Sequence, residues 1–187
     1  MSRVTGAPTY EFSVEEYLRL GKVGILDEDD RVELLNGNIV LMSPIGIRHR
    51  NAVRRLINYM ARRFGKICLV DVQNPLVIDE RSMPQPDAML LRLDLDESRA
   101  PQPEDVHLLV EVADSSLIYD QTDKREAYAR NGIIEYWLLD LTRDELFVFR
   151  DPAGAEYRTE LRVAAGESIA PLAFPEASVA VSEILPP

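Results

Sequence analysis

The 187-residue chain has one cysteine, Cys68, and two histidines, His49 and His107. A lone thiol forms no internal disulfide, and one Cys with two His falls short of a tetrahedral structural zinc set. A Ser-His-Asp or Cys-His triad would have to use one of those imidazoles, and no G-x-S-x-G accompanies them, so serine-type hydrolysis is disfavoured. The nine glycines compose neither G-x-G-x-x-G nor G-x-x-x-x-G-K, which removes the dinucleotide fingerprint and the phosphate-cradling loop. No run of 18 apolar residues is available to span a bilayer, and the opening MSRVTGAPTYEF has no secretory apolar stretch. The expectation is a soluble, cytoplasmic protein without a membrane partner. Positive charge is also scarce. Lys and Arg number 21 against 32 Asp and Glu, a net charge of −11, so the chain as a whole repels phosphate polymers and a nucleic-acid role needs a local basic patch.

With 46% hydrophobic residues, the length suits one domain with a sizeable core. The organisation expected is a single domain over 1–187, with a core at about 9–150 and a C-terminal β extension over 151–187. No internal repeat or low-complexity segment interrupts it.

Local signals set the order of elements. Ser13 and Glu16 make a capping box, with Phe12 and Tyr17 placed as a hydrophobic staple, so a helix starts at Val14. Asn36-Gly37 sits between the apolar runs 32–35 and 39–42, which predicts a tight hairpin. Val53, Leu56, Ile57, Met60 and Phe64 trace one helix face over 47–64, closed by Gly65. Strands are expected over 67–72, 76–79, 87–93 and 107–113, the last following the polar loop ESRAPQPED. A second helix over about 122–131 ends at Gly132, followed by strands over 135–141 and 145–150 joined by the turn TRD. Alternation over 157–163 reads as an edge hairpin, and the tail from Pro171 gives no clear signal.

Three acids stand out because strands disfavour carboxylates that lack a partner: Glu33, Asp87 and Glu111. Glu111 lies in LLVEVA, an apolar run typical of a strand covered on both faces, so its charge requires a cation. Alternation puts Leu109, Glu111 and Ala113 on one face, where the small Ala113 leaves room beside the carboxylate. Asp87 opens its strand after Pro86, which cannot donate to a sheet ladder. A Pro-Asp pair is expected about once by chance at this composition, so the dipeptide alone carries little weight. Lys124 shares a helix stripe with Ala127 and Tyr128 and so faces the sheet, where an ammonium needs an anion. Two alternatives stay open: Glu33 on the outer, solvated face of the hairpin, and Lys124 snorkelling with its stem over apolar surface.

Hard divalent cations such as Mg²⁺ take oxygen ligands, commonly one or two carboxylates with substrate phosphates and waters. Asp87 and Glu111 supply the carboxylates. A metal so held activates water and neutralises charge on a phosphoryl oxygen, with a lysine nearby to orient the water, and phosphodiester hydrolysis follows from those parts.

Over about Thr9 to Arg150 the chain resembles the PD-(D/E)XK nuclease superfamily, and within it the Uma-two family of restriction-type endonucleases. The resemblance rests on RVELLNGNIVLMSP with His49 downstream, PQPDAML, HLLVEVADSS, YDQTDKREAYARNGI and EYWLLDL, in that order. It implies an α/β (α+β) restriction-endonuclease-like fold, a mixed sheet flanked by helices, with Asp87 and Glu111 as metal-binding acids. It implies Mg²⁺ as cofactor, with Mn²⁺ able to substitute, and DNA as substrate. Ala113 stands where E-x-K would place its lysine, and the resemblance implies that Lys124, from the D-x-x-x-K segment Asp120 to Lys124, replaces it. Glu33 resembles the upstream acid that completes the cluster, as metal ligand or as orienter of a water. Asp120, Tyr119 and His49 carry over more weakly. Many nucleases of the superfamily act as dimers, which makes a homodimer an expectation.

The segment from Arg48 to Lys66 holds seven of the 21 cations and no acid. Within it Arg48, Arg55 and Arg62 recur every seven residues, either as a stripe tracking a phosphate backbone or as a face pairing with the acidic remainder. Cys68, Tyr136 and Trp137 read as core. The function expected is Mg-dependent endonuclease action on DNA. Two alternatives stand beside it: a non-catalytic nucleic-acid-binding or assembly module on the same fold, and a metal phosphoesterase for small nucleotides.

Overall fold

The computed structural model describes residues 9–27 and 29–186. Residues 1–8, part of the opening read as free of a leader, lie outside the described residues.

Helix α1 (Val14–Lys22) starts at the expected capping box: Glu16 N–H donates to Ser13 Oγ at 3.2 Å and Ser13 N–H to Glu16 Oε2 at 2.9 Å. Strands β1 (Val32–Leu35) and β2 (Asn38–Leu41) form the antiparallel hairpin, and its turn residues both take positive φ, Asn36 at 49° and Gly37 at 72°. Glycine is needed at 37 for a second reason. A Cβ there would sit 2.5 Å from Glu11 Cβ. Helix α2 (Ile47–Phe64) matches its predicted bounds and buries Ala52, Val53, Leu56, Met60 and Phe64, its apolar stripe.

The central sheet has six strands: β3 (Leu69–Asp71), β4 (Ala88–Leu91), β5 (Val106–Ala113), β6 (Glu135–Asp140), β7 (Glu145–Ala153) and β8 (Glu156–Ala164). They lie in that order, with β5–β6 parallel and every other neighbour antiparallel. The parallel pair needs a crossover. It is a helical run of α3 (Leu117–Tyr119), a π-helical turn (Asp120–Lys124) and α4 (Arg125–Arg130). Leu108, Val110, Val112, Trp137 and Val148 face α2, whereas Leu109, Ala113, Tyr136, Leu138 and Phe147 pack with Ala127 and Tyr128 of α4. A mixed sheet thus lies between two helical layers, as expected for this fold class.

Three local expectations are corrected. No strand forms over 76–79, because its neighbour contains Pro84 and Pro86, which accept bonds from Leu76 N–H (2.9 Å) and Gln73 N–H (3.1 Å) but return none. The crossover helix begins at Leu117, five residues earlier than its apolar periodicity suggests, because the π-helical turn breaks the apolar stripe and buries the charged Asp120 and Lys124 toward the candidate site. β3 is three residues long, shorter than the apolar run over 67–72. Beyond Pro171 the chain adds β10 (Val179–Ala180), paired with β9 (Ser168–Ile169), and α5 (Val181–Ile184), which packs on α2. That segment is tied down by the buried Glu135, whose carboxylate accepts from Arg150, Trp137 Nε1 and Leu172 N–H at 2.6–2.8 Å.

Candidate active site

β5 places Glu111 on the crossover-helix side of the sheet, 3% exposed among apolar neighbours. Its Oε1 accepts from Lys124 Nζ at 2.8 Å and from Tyr128 OH at 2.7 Å. Its Oε2 is approached by Asp87 N–H at the long distance of 3.4 Å. With the two short donors on Oε1 and only one long contact on Oε2, the second oxygen keeps acceptor capacity.

Asp87 comes one residue before β4, past the last ladder pair Ala88–Val110. At that position its Oδ2 takes the Val112 N–H at 2.9 Å, so the side chain continues the ladder that Pro86 cannot. His49 Nε2 lies 3.1 Å from the same oxygen, and the Gln73 side-chain amide donates to Oδ1 at 3.2 Å. An ionised acceptor puts the imidazole proton on Nε2, and Nδ1 is buried without a partner. Three donors fill three of the roughly four acceptor positions of a carboxylate.

Glu33 is 2% exposed, so the solvated outer-face alternative does not hold. Its Oε2 accepts the Gln85 N–H at 3.0 Å and pairs with Lys124 Nζ at 3.2 Å. Lys124 is 4% exposed and does not snorkel; its ammonium also lies 4.0 Å from Asp120 Oδ1. The π-turn carries both Asp120 and Lys124 inward, a local feature common at functional sites. Ser116 Oγ donates to Asp120 Oδ2 at 2.6 Å, and the Tyr119 ring lies under the ammonium with its centroid 5.7 Å away. The Tyr119 hydroxyl is buried beside Glu33 without closing a hydrogen bond.

This crowding perturbs the charges. Burial pushes the Glu111 carboxyl up to about 8, with the negative Asp120, Asp87 and Glu33 adding to the rise and Lys124 opposing it. Burial likewise raises Asp120 to about 6 against the pull of Lys124. For Asp87, burial raises the pKa, but the hydrogen bond and charge of His49, the Val112 N–H and Lys124 outweigh it and hold the carboxyl low. His49 is desolvated, yet Asp87 raises it overall. Lys124 stays firmly protonated: burial opposes the charge, and Glu111, Glu33 and Asp120 more than offset that cost.

These groups line a cavity of about 450 Å³ that also includes Arg31, Asp114 and Asp123. Six acids and two strong cations therefore face it. The Asp87 and Glu111 carboxylates retain acceptor capacity, which suits a hard cation that keeps most of its shell as water and phosphate. Among the described residues no three His, Cys, Asp or Glu converge at ligand spacing, since the ammonium of Lys124 lies between Glu33 and Glu111.

The arginine stripe of α2 is divided. Arg48 pairs with Asp144 at 3.1 Å, and Arg55 reaches the Ser182 carbonyl of α5 at 3.5 Å, whereas Arg62 is exposed. Sequence reasoning gave Gln73 no role, and no signal marks it, because it sits in irregular backbone with φ 51°. Tyr128, expected on the sheet-facing stripe, is buried there, and its spacing of four from Lys124 is the sequence sign that its hydroxyl shares the acid's face.

A mixed sheet between helices, with an acid pair and a lysine buried at one end, defines a nuclease-like protein of the restriction-endonuclease type. The chain belongs to the Uma2 family, described as "Putative restriction endonuclease", whose family model matches residues 14–182. Among solved structures it is similar to the crystal structure of a "putative nuclease belonging to DUF820" from Anabaena variabilis ATCC 29413, with a TM-score of 0.70 at 12% identity. That match covers 92% of this chain and 97% of the other. No curated protein matches the chain.

Proposed function

We propose that the chain is a cytoplasmic endonuclease that hydrolyses DNA phosphodiester bonds with Mg²⁺, for which Mn²⁺ can substitute. The observation that carries this reading is the meeting of Asp87, Glu111, Glu33 and Lys124 at one cavity from four separate segments of the chain. Family membership and the nuclease-like fold support it. Asp87 and Glu111 would hold the cation, which supplies charge neutralisation at a phosphoryl oxygen and a more acidic water. Lys124 donates hydrogen bonds that orient the attacking water, and Glu33 accepts its proton. His49 and Gln73 keep the Asp87 carboxylate turned into the site, as outer groups do for metal-binding acids. Of the arginine stripe, Arg62, exposed and not engaged as Arg48 and Arg55 are, tracks the DNA backbone, and two copies act as a homodimer.

Asp87→Ala and Glu111→Ala should each abolish cleavage of plasmid DNA in Mg²⁺ while leaving the circular dichroism spectrum intact. Metal-dependent cleavage retained in both variants refutes the assignment. One observation favours a second reading, a non-catalytic module: the Lys124 ammonium pairs with both Glu33 and Glu111 and so occupies the space between two of the acids. Calorimetric titration with Mn²⁺ separates the two, since a module shows no saturable binding lost in Glu111→Gln.

A further inference from the structure

We infer that the site takes an unpaired segment of nucleic acid in preference to an intact duplex; the inference rests on the nuclease reading and specifies its substrate. Three features carry it.

The first is depth. Glu111 and Lys124 are 3% and 4% exposed at the floor of a cavity of about 450 Å³, the scale of a small-ligand pocket. A duplex is stiff, with a persistence length of about 50 nm, and keeps its phosphates on the outside of a wide rod. It cannot lower one phosphate into such a recess without local melting. A single strand can bend there.

The second is the rim. Leu41 at the end of β2, Ile45 in the following loop and Ile118 in α3 all line this cavity and are 67%, 45% and 79% exposed. Aliphatic side chains this exposed at the mouth of an acidic pocket have no role toward the sugar-phosphate exterior of a duplex. They offer apolar surface to base faces, which are free only where stacking is broken, as aliphatic wedges do at unstacked base steps.

The third is charge. Acids outnumber strong cations six to two around the cavity. A divalent cation on Asp87 and Glu111 would offset only part of that excess, and duplex DNA carries one negative charge per roughly 1.7 Å of axis, twice the density of one strand, so the remaining field repels a duplex more strongly than a single strand.

The test uses one labelled 30-residue DNA sequence, offered as a single strand and as its blunt duplex to the full chain in Mg²⁺ or Mn²⁺. Binding is read by fluorescence anisotropy and cleavage on denaturing gels. The expectation is at least tenfold tighter binding and at least tenfold higher kcat/KM for the single strand. Leu41→Ser and Ile118→Ser, both at exposed rim positions, should raise KM for the single strand about tenfold each with kcat unchanged. Equal cleavage of both forms overturns the inference and leaves the nuclease reading standing. Preferential single-strand binding with no cleavage does the reverse. If sedimentation shows a dimer that Ile118→Ser dissociates while single-strand affinity is unchanged, the rim is a contact between copies and the inference fails.

Discussion

The Lys124 ammonium lies 2.8 Å from Glu111 Oε1 and reaches it from the crossover helix, whereas Ala113, two residues past Glu111 on the same strand, is packed in the core. One cation therefore serves three buried acids, Glu111, Glu33 and Asp120. Removing one partner from a buried ionic group leaves uncompensated charge and costs about 3–5 kcal/mol. Lys124→Met should lower the unfolding free energy from urea titration by an amount in that range and abolish cleavage. Adding Glu111→Gln should restore part of the stability and none of the activity, because the two residues share one interaction. Additive losses in the double variant contradict this coupling.

Tyr128 tests the same carboxylate from the other side. Its hydroxyl holds Glu111 Oε1 at 2.7 Å while the ring packs edge-on against Tyr136. Tyr128→Phe keeps the ring and deletes one hydrogen bond to an acid, worth about 1.5–3 kcal/mol of stability. Freed of one restraint, Glu111 is less well aimed, and outer-group changes of this kind weaken metal binding by about 10–100-fold. Calorimetry with Mn²⁺ should show a tenfold weaker Kd, while kcat at saturating metal changes less. An unchanged Kd with lowered stability assigns the hydroxyl to folding alone.

The readability of this chain followed the physics of each signal. Helix α2 and the hairpin at Asn36-Gly37 were legible because side-chain period and backbone chirality act locally. Glu111 and Lys124 were legible because an ionised group in an apolar stripe violates a strong rule and calls for a partner. Gln73 was not, since its place beside Asp87 depends on the path of a proline-bound segment and no local pattern encodes that path. Arg55 misled for a related reason: its period of seven marks a helix face, but period says nothing about what covers the face, and the covering element is α5, from the end of the chain.

That division of the stripe has a measurable consequence. Arg62 is exposed, and if it meets a phosphate, Arg62→Ala should weaken DNA binding about uniformly across sequences and lower the salt slope of log K by about one. Arg55 reaches the Ser182 carbonyl, so Arg55→Ala should show its main effect as a lower Tm. Anisotropy titrations from 50 to 200 mM NaCl distinguish them. A slope unchanged in Arg62→Ala removes that residue from the DNA path.

Glu111 also sets a pH dependence whose sign is fixed by its environment. Burial raises its carboxyl from 4.5 to about 8. A carboxyl raised on folding binds its proton more tightly in the folded chain, so its contribution to stability is fully present below about pH 4.5 and is withdrawn as pH rises to about 8. Glu111→Gln is neutral throughout and has no such withdrawal, so the Tm of the variant minus that of the wild type should climb between pH 5 and 8. His49, raised by Asp87, loses its own contribution as pH rises through a neighbouring range, but it is common to both proteins and cancels in the difference. Metal binding requires the ionised carboxylate, so the apparent Kd for Mn²⁺ in the wild type should tighten by up to about tenfold per pH unit below 8 and level off above it. A Kd that is flat from pH 6 to 8 means that Glu111 is already ionised beside Lys124, and that the ammonium outweighs burial in setting its charge.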